Sequence, residues 1–414
     1  MKGTARSALP VAVWILTRIV LLLWVLKVLY VAGPDVTSDV SGIYQGWYEV
    51  LRTGTYPKDD VTWQYPPAAA LAILSPALLP FLGYVTAFFV LALVCDAAVL
   101  GLLLYAGMRP GKSLRGVWVW VAGVPLLGPT AYARYDLMVT AVAVAALFAL
   151  ARRPGLAGAL AGFGAMLKVW PVLLLAGVRR GHATRTSWAA AAGTAAGLLV
   201  VFAAAMPGAL AFLTFQRDRG TEIESLGALV FHVARHHGWD GQVLLNYGSV
   251  EFLGPYVPLV SRLALALSVS ALAWLLVWRL RAREFTASTP ADAAFTAVLL
   301  FTTTSRVISP QYMIWLVGLA AVCLAFRSSR MTLPACLVVV ATGVTYLEFP
   351  IYFAHVVASD PLGTTLLFVR NGLLVAATLL AGRRLWTSTV PGRGRRAGRA
   401  PSAQPAHDKE LLGS

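Results

Sequence analysis

The stretch TSDVSGIYQGWYEVLRTGTYPKDDVTWQYPP, residues 37–67, lies between two apolar runs. A connector between two membrane spans needs only a few residues, so this one has room for chemistry. Its first carboxylate, Asp39, would stand at the mouth of a membrane bundle, a suitable place for a general base that takes the proton of an attacking hydroxyl. One carboxylate suffices if the leaving group is already a phosphate, and cations must then stabilise the charge that develops on it. Arg134 in YARYD, Lys168 in LKVWP and Arg306 in TSRVISPQY are the obvious cations. The competing reading is that Asp39, or Ser38 beside it, only caps a helix.

These residues need a membrane scaffold. The chain has 414 residues, 58% hydrophobic and 13% charged, too apolar for an ordinary soluble domain. Segments near 9–32, 84–107, 116–133, 187–207, 258–278 and 363–382 suit a ~30 Å hydrocarbon layer. Shorter or interrupted ones lie near 67–82, 136–151, 155–178, 291–304, 310–326 and 331–347. The expected fold is an all-α, polytopic transmembrane helical bundle with 10–12 membrane helices. The first run keeps Arg18 and Lys27 and lacks a small-residue cleavage site, so it reads as a retained anchor. Within 39–53, Val40, Ile43, Trp47, Val50 and Leu51 recur at helical spacing, which predicts an amphipathic helix lying flat at the interface until Gly54 stops it. Cys95, Cys323 and Cys336 sit in apolar runs and form no disulfide framework or zinc spacing.

The net charge of +16 invites a nucleic-acid reading, but its distribution argues for membrane orientation. Basic residues cluster in short connectors: Arg109, Lys112 and Arg115; Arg152 and Arg153; Arg179, Arg180 and Arg185; Arg279, Arg281 and Arg283; Arg327 and Arg330. The positive-inside rule places these in the cytoplasm. No nucleic-acid partner is expected. For every basic connector to fall on one side, two crossings must be incomplete. One is 67–82, interrupted by prolines; the other is 152–180, basic at both ends. The second then becomes a hairpin with Lys168 near its outer apex, the alternative being one tilted span with Lys168 inside the bundle. A lysine at that depth is normally paired or functional.

Three blocks carry a resemblance. SDVSGIYQGWYEVLRTGTYP with its following YPP, RYDLMVTAVAVAALFALARRPGLAGALAGFGAMLKVWPVLLL, and TSRVISPQYMIWL resemble the recurring blocks of glycosyltransferase family 87, within the GT-C superfamily of polytopic transferases. The resemblance implies a GT-C-type bundle that transfers mannose or a related sugar from a polyprenyl-phosphate donor to a lipid-linked or cell-envelope glycan. Reaction would take place in the cell membrane, on the extracytoplasmic side, with inversion and without a cofactor. It places the catalytic aspartate at Asp39, and Arg134, Asp136, Lys168, Arg306, Gln311 and Tyr312 near the donor phosphate or sugar. Unlike many GT-C relatives, the first loop has no paired acidic residue beside Asp39, so no metal site is expected.

Several features have simpler readings beside the functional one. Asp59 and Asp60 read as solvated loop charges, and His236 and His237 as polar loop contacts more than metal ligands. His355 and Glu348 flank the last outer turn, either contacting acceptor hydroxyls or forming an interfacial pair. Trp63, Tyr65, Trp239 and Tyr247 fit an interfacial aromatic belt or a sugar-stacking surface. Asp96 and Asp292 need buried partners that sequence does not name. One domain is expected over 1–389, followed by a disordered basic cytoplasmic tail, 390–414, able to adhere to membrane lipids. The rival function is a transporter or flippase of lipid-linked sugars or small solutes. Transporters commonly show two similar halves, and no repeat is visible here.

Overall fold

The structure, a computed structural model, describes residues 2–30, 32–215 and 220–391. Helix dominates it, as it must where backbone groups lie in hydrocarbon and can bond only within their own segment. Helix α1 (Lys2–Val25) leads to a π-helical turn, Asp39–Tyr44, which runs into α2 (Gln45–Leu51). Then come α3 (Ala69–Leu74), α4 (Tyr84–Gly107), α5 (Arg115–Gly123), α6 (Asp136–Ala149), α7 (Pro154–Leu167) and α8 (His182–Ala205). The segment after α8 carries α9 (Phe212–Phe215), β1 (Thr221–Glu222), α10 (Leu229–Arg235), β2 (Gln242–Asn246) and β3 (Ser249–Leu253). Helices α11 (Val257–Arg281), α12 (Thr289–Thr304), α13 (Tyr312–Leu324), α14 (Thr332–Tyr346), α15 (Phe353–Ala358) and α16 (Pro361–Thr389) complete the bundle.

Among the described residues, six helices are long and apolar enough to cross a membrane: α1, α4, α8, α11, α14 with the turn that follows it, and α16. Four shorter apolar helices join them, within Ala69–Leu78, Asp136–Ala149, Pro154–Leu167 and Tyr312–Leu324. The chain is an all-α polytopic membrane protein. Helix α3 and the 3-10 turn Ser75–Leu78 are too short for a ~30 Å crossing, as the prolines at 76 and 80 predict.

The basic connectors share one face. Ser113 N donates to Ala325 O, Arg327 Nε to Lys112 O, Arg283 N to Thr389 O, each at 2.9 Å, and Arg180 Nη2 to Leu280 O at 2.9 Å. The segment 152–180 is a hairpin: α7 rises from this face and the 3-10 stretch Trp170–Gly177 returns to it. A Cβ on Gly158 would lie 2.0 Å from Ser187 O and one on Gly162 2.3 Å from Ala191 O, so α7 runs parallel to α8 with backbones in contact. Gly177, at the far end, abuts Pro290 and Ala293 at the start of α12. Sequence neighbours can run parallel only if the chain between them turns back, which rules out one tilted span and puts Lys168 at the apex.

Buried polar clusters pin the bundle. Asp96, fully buried in α4, accepts from Arg18 Nε at 2.8 Å, Trp14 Nε1 at 2.9 Å, Trp120 Nε1 at 2.7 Å and Tyr132 OH at 2.8 Å. One carboxylate thereby ties α1, α4 and α5 to the turn that carries Arg134. Asp292 accepts from Ser329 Oγ at 2.6 Å. Arg370 in α16 holds buried Glu348 through Nη2 at 2.5 Å and Nε at 3.1 Å, and also donates to Glu224 O. Glu348 therefore lies in an internal ion pair and not on an acceptor surface.

The segment between α8 and α11 includes a small sheet. Its strands form an antiparallel sheet in the order β1-β3-β2, with Asn246 opposite Ser249. The two residues between them, Tyr247 and Gly248, have φ of 47° and 74°, the left-handed pair of a tight hairpin turn. The tail from residue 392 lies outside the described residues.

Candidate active site

The first-loop helix begins as a π-turn with Ser38 at its N-cap position, and no side chain caps it. The carboxylate of Asp39 faces elsewhere: Oδ2 lies 2.7 Å from Arg134 Nη2. Arg134 is in turn anchored by backbone, donating from Nη1 to Ala133 O at 2.7 Å and Val36 O at 3.0 Å. The guanidinium side chain is 10% exposed and the Asp39 side chain 33%. Of the two, the carboxylate is the accessible group.

The helix behind Asp39 buries Val40, Tyr44, Trp47 and Leu51, spaced as one helical stripe. Ile43, expected on that face, is exposed and Tyr44 takes its place. Trp47 Nε1 donates to Asp60 Oδ2 at 2.8 Å, and Asp60 Oδ1 accepts from Thr62 N and Oγ1 at 2.9 and 2.6 Å. Asp60 is thus not a solvated loop charge: it closes the loop back onto the helix. Asp59 is exposed, as expected.

Two residues beyond Arg134, Asp136 opens α6 and pairs with Lys168 Nζ at 2.7 Å; its Oδ1 also accepts from Trp315 Nε1 at 2.7 Å. Neither Asp96 nor Asp292 is the partner of this lysine. Nζ lies 5.1 Å from the ring centre of Tyr135, 5.2 Å from Trp315, 5.3 Å from Tyr65 and 5.7 Å from Tyr312, distances suited to cation–π attraction. Tyr312 stacks on Trp315 at 4.0 Å between centres, and Trp170 stacks on Trp315 at 5.2 Å. The Lys168–Asp136 pair therefore joins the hairpin apex, the 132–136 turn and the start of α13.

Aromatic contacts link the two ion pairs. Tyr44 lies 5.9 Å from Tyr135, and Tyr65 lies 5.3 Å from Tyr135 and 5.8 Å from Trp47. Tyr65 and the fully buried Trp63 consequently belong to the interior, not to a lipid-facing belt. Tyr135 and Trp315 were not among the expected site residues, although both lie inside the quoted blocks. Their side chains complete the wall around Lys168.

Arg306 and Tyr312 flank a loop shaped from outside. Glu222 accepts from Ile308 N at 2.6 Å and Ser309 Oγ at 3.0 Å, while Glu222 N donates to Arg306 O at 3.1 Å. Arg306 Nη1 reaches Ser261 Oγ at 3.4 Å. Gln311 caps α13 by position. His355 stands apart: it bonds Asp360 and packs edge-on against Tyr352, with no contact to Asp39 or Lys168 among the described residues. His236 Nε2 pairs with Ser359 O at 2.7 Å, a loop contact as expected.

His232, buried between Ser359 Oγ at 2.7 Å and Ile223 O at 2.8 Å, has its pKa pushed down to about 4 by burial. A depressed histidine pKa favours the neutral folded form, so stability contributed here is present above pH 6.5 and lost as pH falls toward 4. Thermal melts between pH 7 and pH 4 should show His232→Gln with a flatter decline than the wild type. Parallel declines would remove His232 from the pH response.

The family model of glycosyltransferase family 87 matches residues 63–310, more than half of the chain. That interval contains Arg134, Asp136, Lys168 and Arg306, whereas Asp39, Gln311, Tyr312 and His355 lie outside it. No curated protein and no solved structure matches the chain. With its polytopic helical bundle and this match, the chain belongs to glycosyltransferase family 87 and is a membrane glycosyltransferase.

Proposed function

We propose that the chain transfers a mannosyl or related residue from a polyprenyl-phosphate sugar to a lipid-linked or cell-envelope glycan, with inversion, at the extracytoplasmic surface. The observation that carries this reading is the one-third-exposed Asp39 carboxylate held by Arg134 beside the Lys168–Asp136 pair. Asp39 takes the acceptor proton as the hydroxyl oxygen bonds to the anomeric carbon. The bond from that carbon to the phosphate oxygen breaks, and its electron pair leaves with polyprenyl phosphate. Arg134, Arg306 and Lys168 stabilise that departing charge. Asp136, Gln311 and Tyr312 line the donor sugar, and His355 meets the acceptor farther out. Arabinofuranose is the other donor sugar compatible with this site.

Purified protein in proteoliposomes, given radiolabelled polyprenyl-phosphate mannose and an envelope glycolipid extract, should produce labelled glycolipid. Absence of transfer from both polyprenyl-phosphate mannose and polyprenyl-phosphate arabinose would sink the proposal. Orientation has its own test, because the basic connectors assign the opposite face to the outside. Single cysteines at Thr55 and Asp240, both exposed, in a background lacking the three native cysteines, should react with an impermeant reagent on intact cells. Labelling only after permeabilisation would reverse the orientation.

A further inference from the structure

On the basic face, far from Asp39, a groove of about 350 Å³ opens between α11, α12 and α16. Its volume falls in the range of small-molecule sites. Trp274 and Trp386, in contact at 6.1 Å between ring centres, form one wall, with Leu300, Thr378 and Leu379 lining the rest. Gly382 leaves the notch: a Cβ there would already touch the Trp274 ring at 3.4 Å, and a larger side chain would fill the space.

The rim is cationic. Arg383 lines the groove, and Arg281 lies over the Trp386 ring at 5.9 Å. Both are exposed, and among the described residues neither is in an ion pair; Glu284, close to Thr389, is in none either. An apolar slot ending in two uncompensated arginines at the level of the basic connectors complements a lipid that has one acyl chain for the slot and an anionic phosphate for the rim. A zwitterionic lipid would fill the slot equally but answer only part of the charge.

We propose that this groove is a binding site for an anionic phospholipid of the leaflet that meets the basic connectors. The lipid's phosphate lies between Arg281 and Arg383 and an acyl chain lies along the Trp274–Trp386 pair beside Gly382. The site is separate from the transfer chemistry and does not depend on which sugar is moved.

Native mass spectrometry of the full chain, with equimolar phosphatidylglycerol and phosphatidylcholine as probes, tests it. The wild type should retain phosphatidylglycerol in preference, and Arg281→Gln with Arg383→Gln should lower that preference roughly fivefold for each arginine removed. Gly382→Leu should reduce retention of both lipids. The control pair Arg152→Gln with Arg153→Gln, on the same face but outside the groove, should keep the wild-type preference. Equal retention of the two lipids by the wild type overturns the proposal whatever the variants do. So does a preference that survives the groove double variant, or one lost equally in the control pair, which would assign the effect to the basic face as a whole.

Discussion

Asp39→Asn should accumulate in the membrane like the wild type and turn over roughly 100-fold more slowly or worse, the smallest loss expected when a positioned general base is removed. The substitution preserves size and leaves an amide oxygen for Arg134 Nη2, now 2.7 Å from the carboxylate. Arg134 keeps its two backbone acceptors, Ala133 O and Val36 O, so it is not stranded. Nor does Asp39 cap the helix it begins, so the fold loses no cap. A large effect on rate with little effect on folded yield is therefore the signature of the base. The check is the initial rate of sugar transfer in proteoliposomes beside the monodisperse yield of the same preparation. Near-normal turnover would leave Asp39 as a partner for Arg134 alone and the proposed reaction without its proton acceptor.

The parts of this arrangement legible in the sequence are those encoded by local composition. Basic pairs at both ends of 152–180 announce a return to the same face because charge near a membrane is costly on the wrong side; that the hairpin meets α8 at Gly158 and Gly162 is visible only in the packing. The position of Asp39 in the first loop is read directly, whereas its grouping with Arg134 is what the resemblance of the quoted blocks implies. What the sequence left open was pairing across long separations. A lysine at membrane depth and the buried Asp96 and Asp292 each call for a partner, and nothing local says which; the bundle gives Lys168 to Asp136 and Asp96 to Arg18.

Other features were hidden for different reasons. Glu222 shapes the Arg306 loop from 86 residues away, through a two-residue strand whose pattern is too short to read. Aromatic residues near an apolar run look alike whether they face lipid or one another, and only packing showed that Tyr65 and Trp63 point inward. The β2–β3 hairpin does carry a local signal, Asn-Tyr-Gly-Ser between apolar residues at 246–249.

Lys168→Met should reduce folded protein sharply, because the geometry makes this lysine a structural partner as well as a candidate phosphate ligand. The Asp136 side chain is 1% exposed and, among the described residues, would keep Trp315 Nε1, at 2.7 Å, as its hydrogen-bond donor. Removing one member of a buried ion pair costs about 3–5 kcal/mol, most of it from the charge left behind. Replacing both members should recover much of that loss, so Lys168→Met with Asp136→Leu should accumulate better than Lys168→Met alone. Failure of the double variant to recover would show that the pair holds the turn and the hairpin by geometry that apolar side chains do not reproduce. The rescued protein, compared with Asp136→Leu alone, then isolates the functional question, because both lack the carboxylate and differ only at Lys168. If Nζ also contacts the donor phosphate, donor affinity per folded molecule should weaken about ten- to a hundredfold, matching ~1.5–3 kcal/mol for a charge-assisted hydrogen bond, and turnover should fall with it. Unchanged donor affinity would confine Lys168 to the aromatic wall and leave Arg134 and Arg306 as the cations that meet the phosphate.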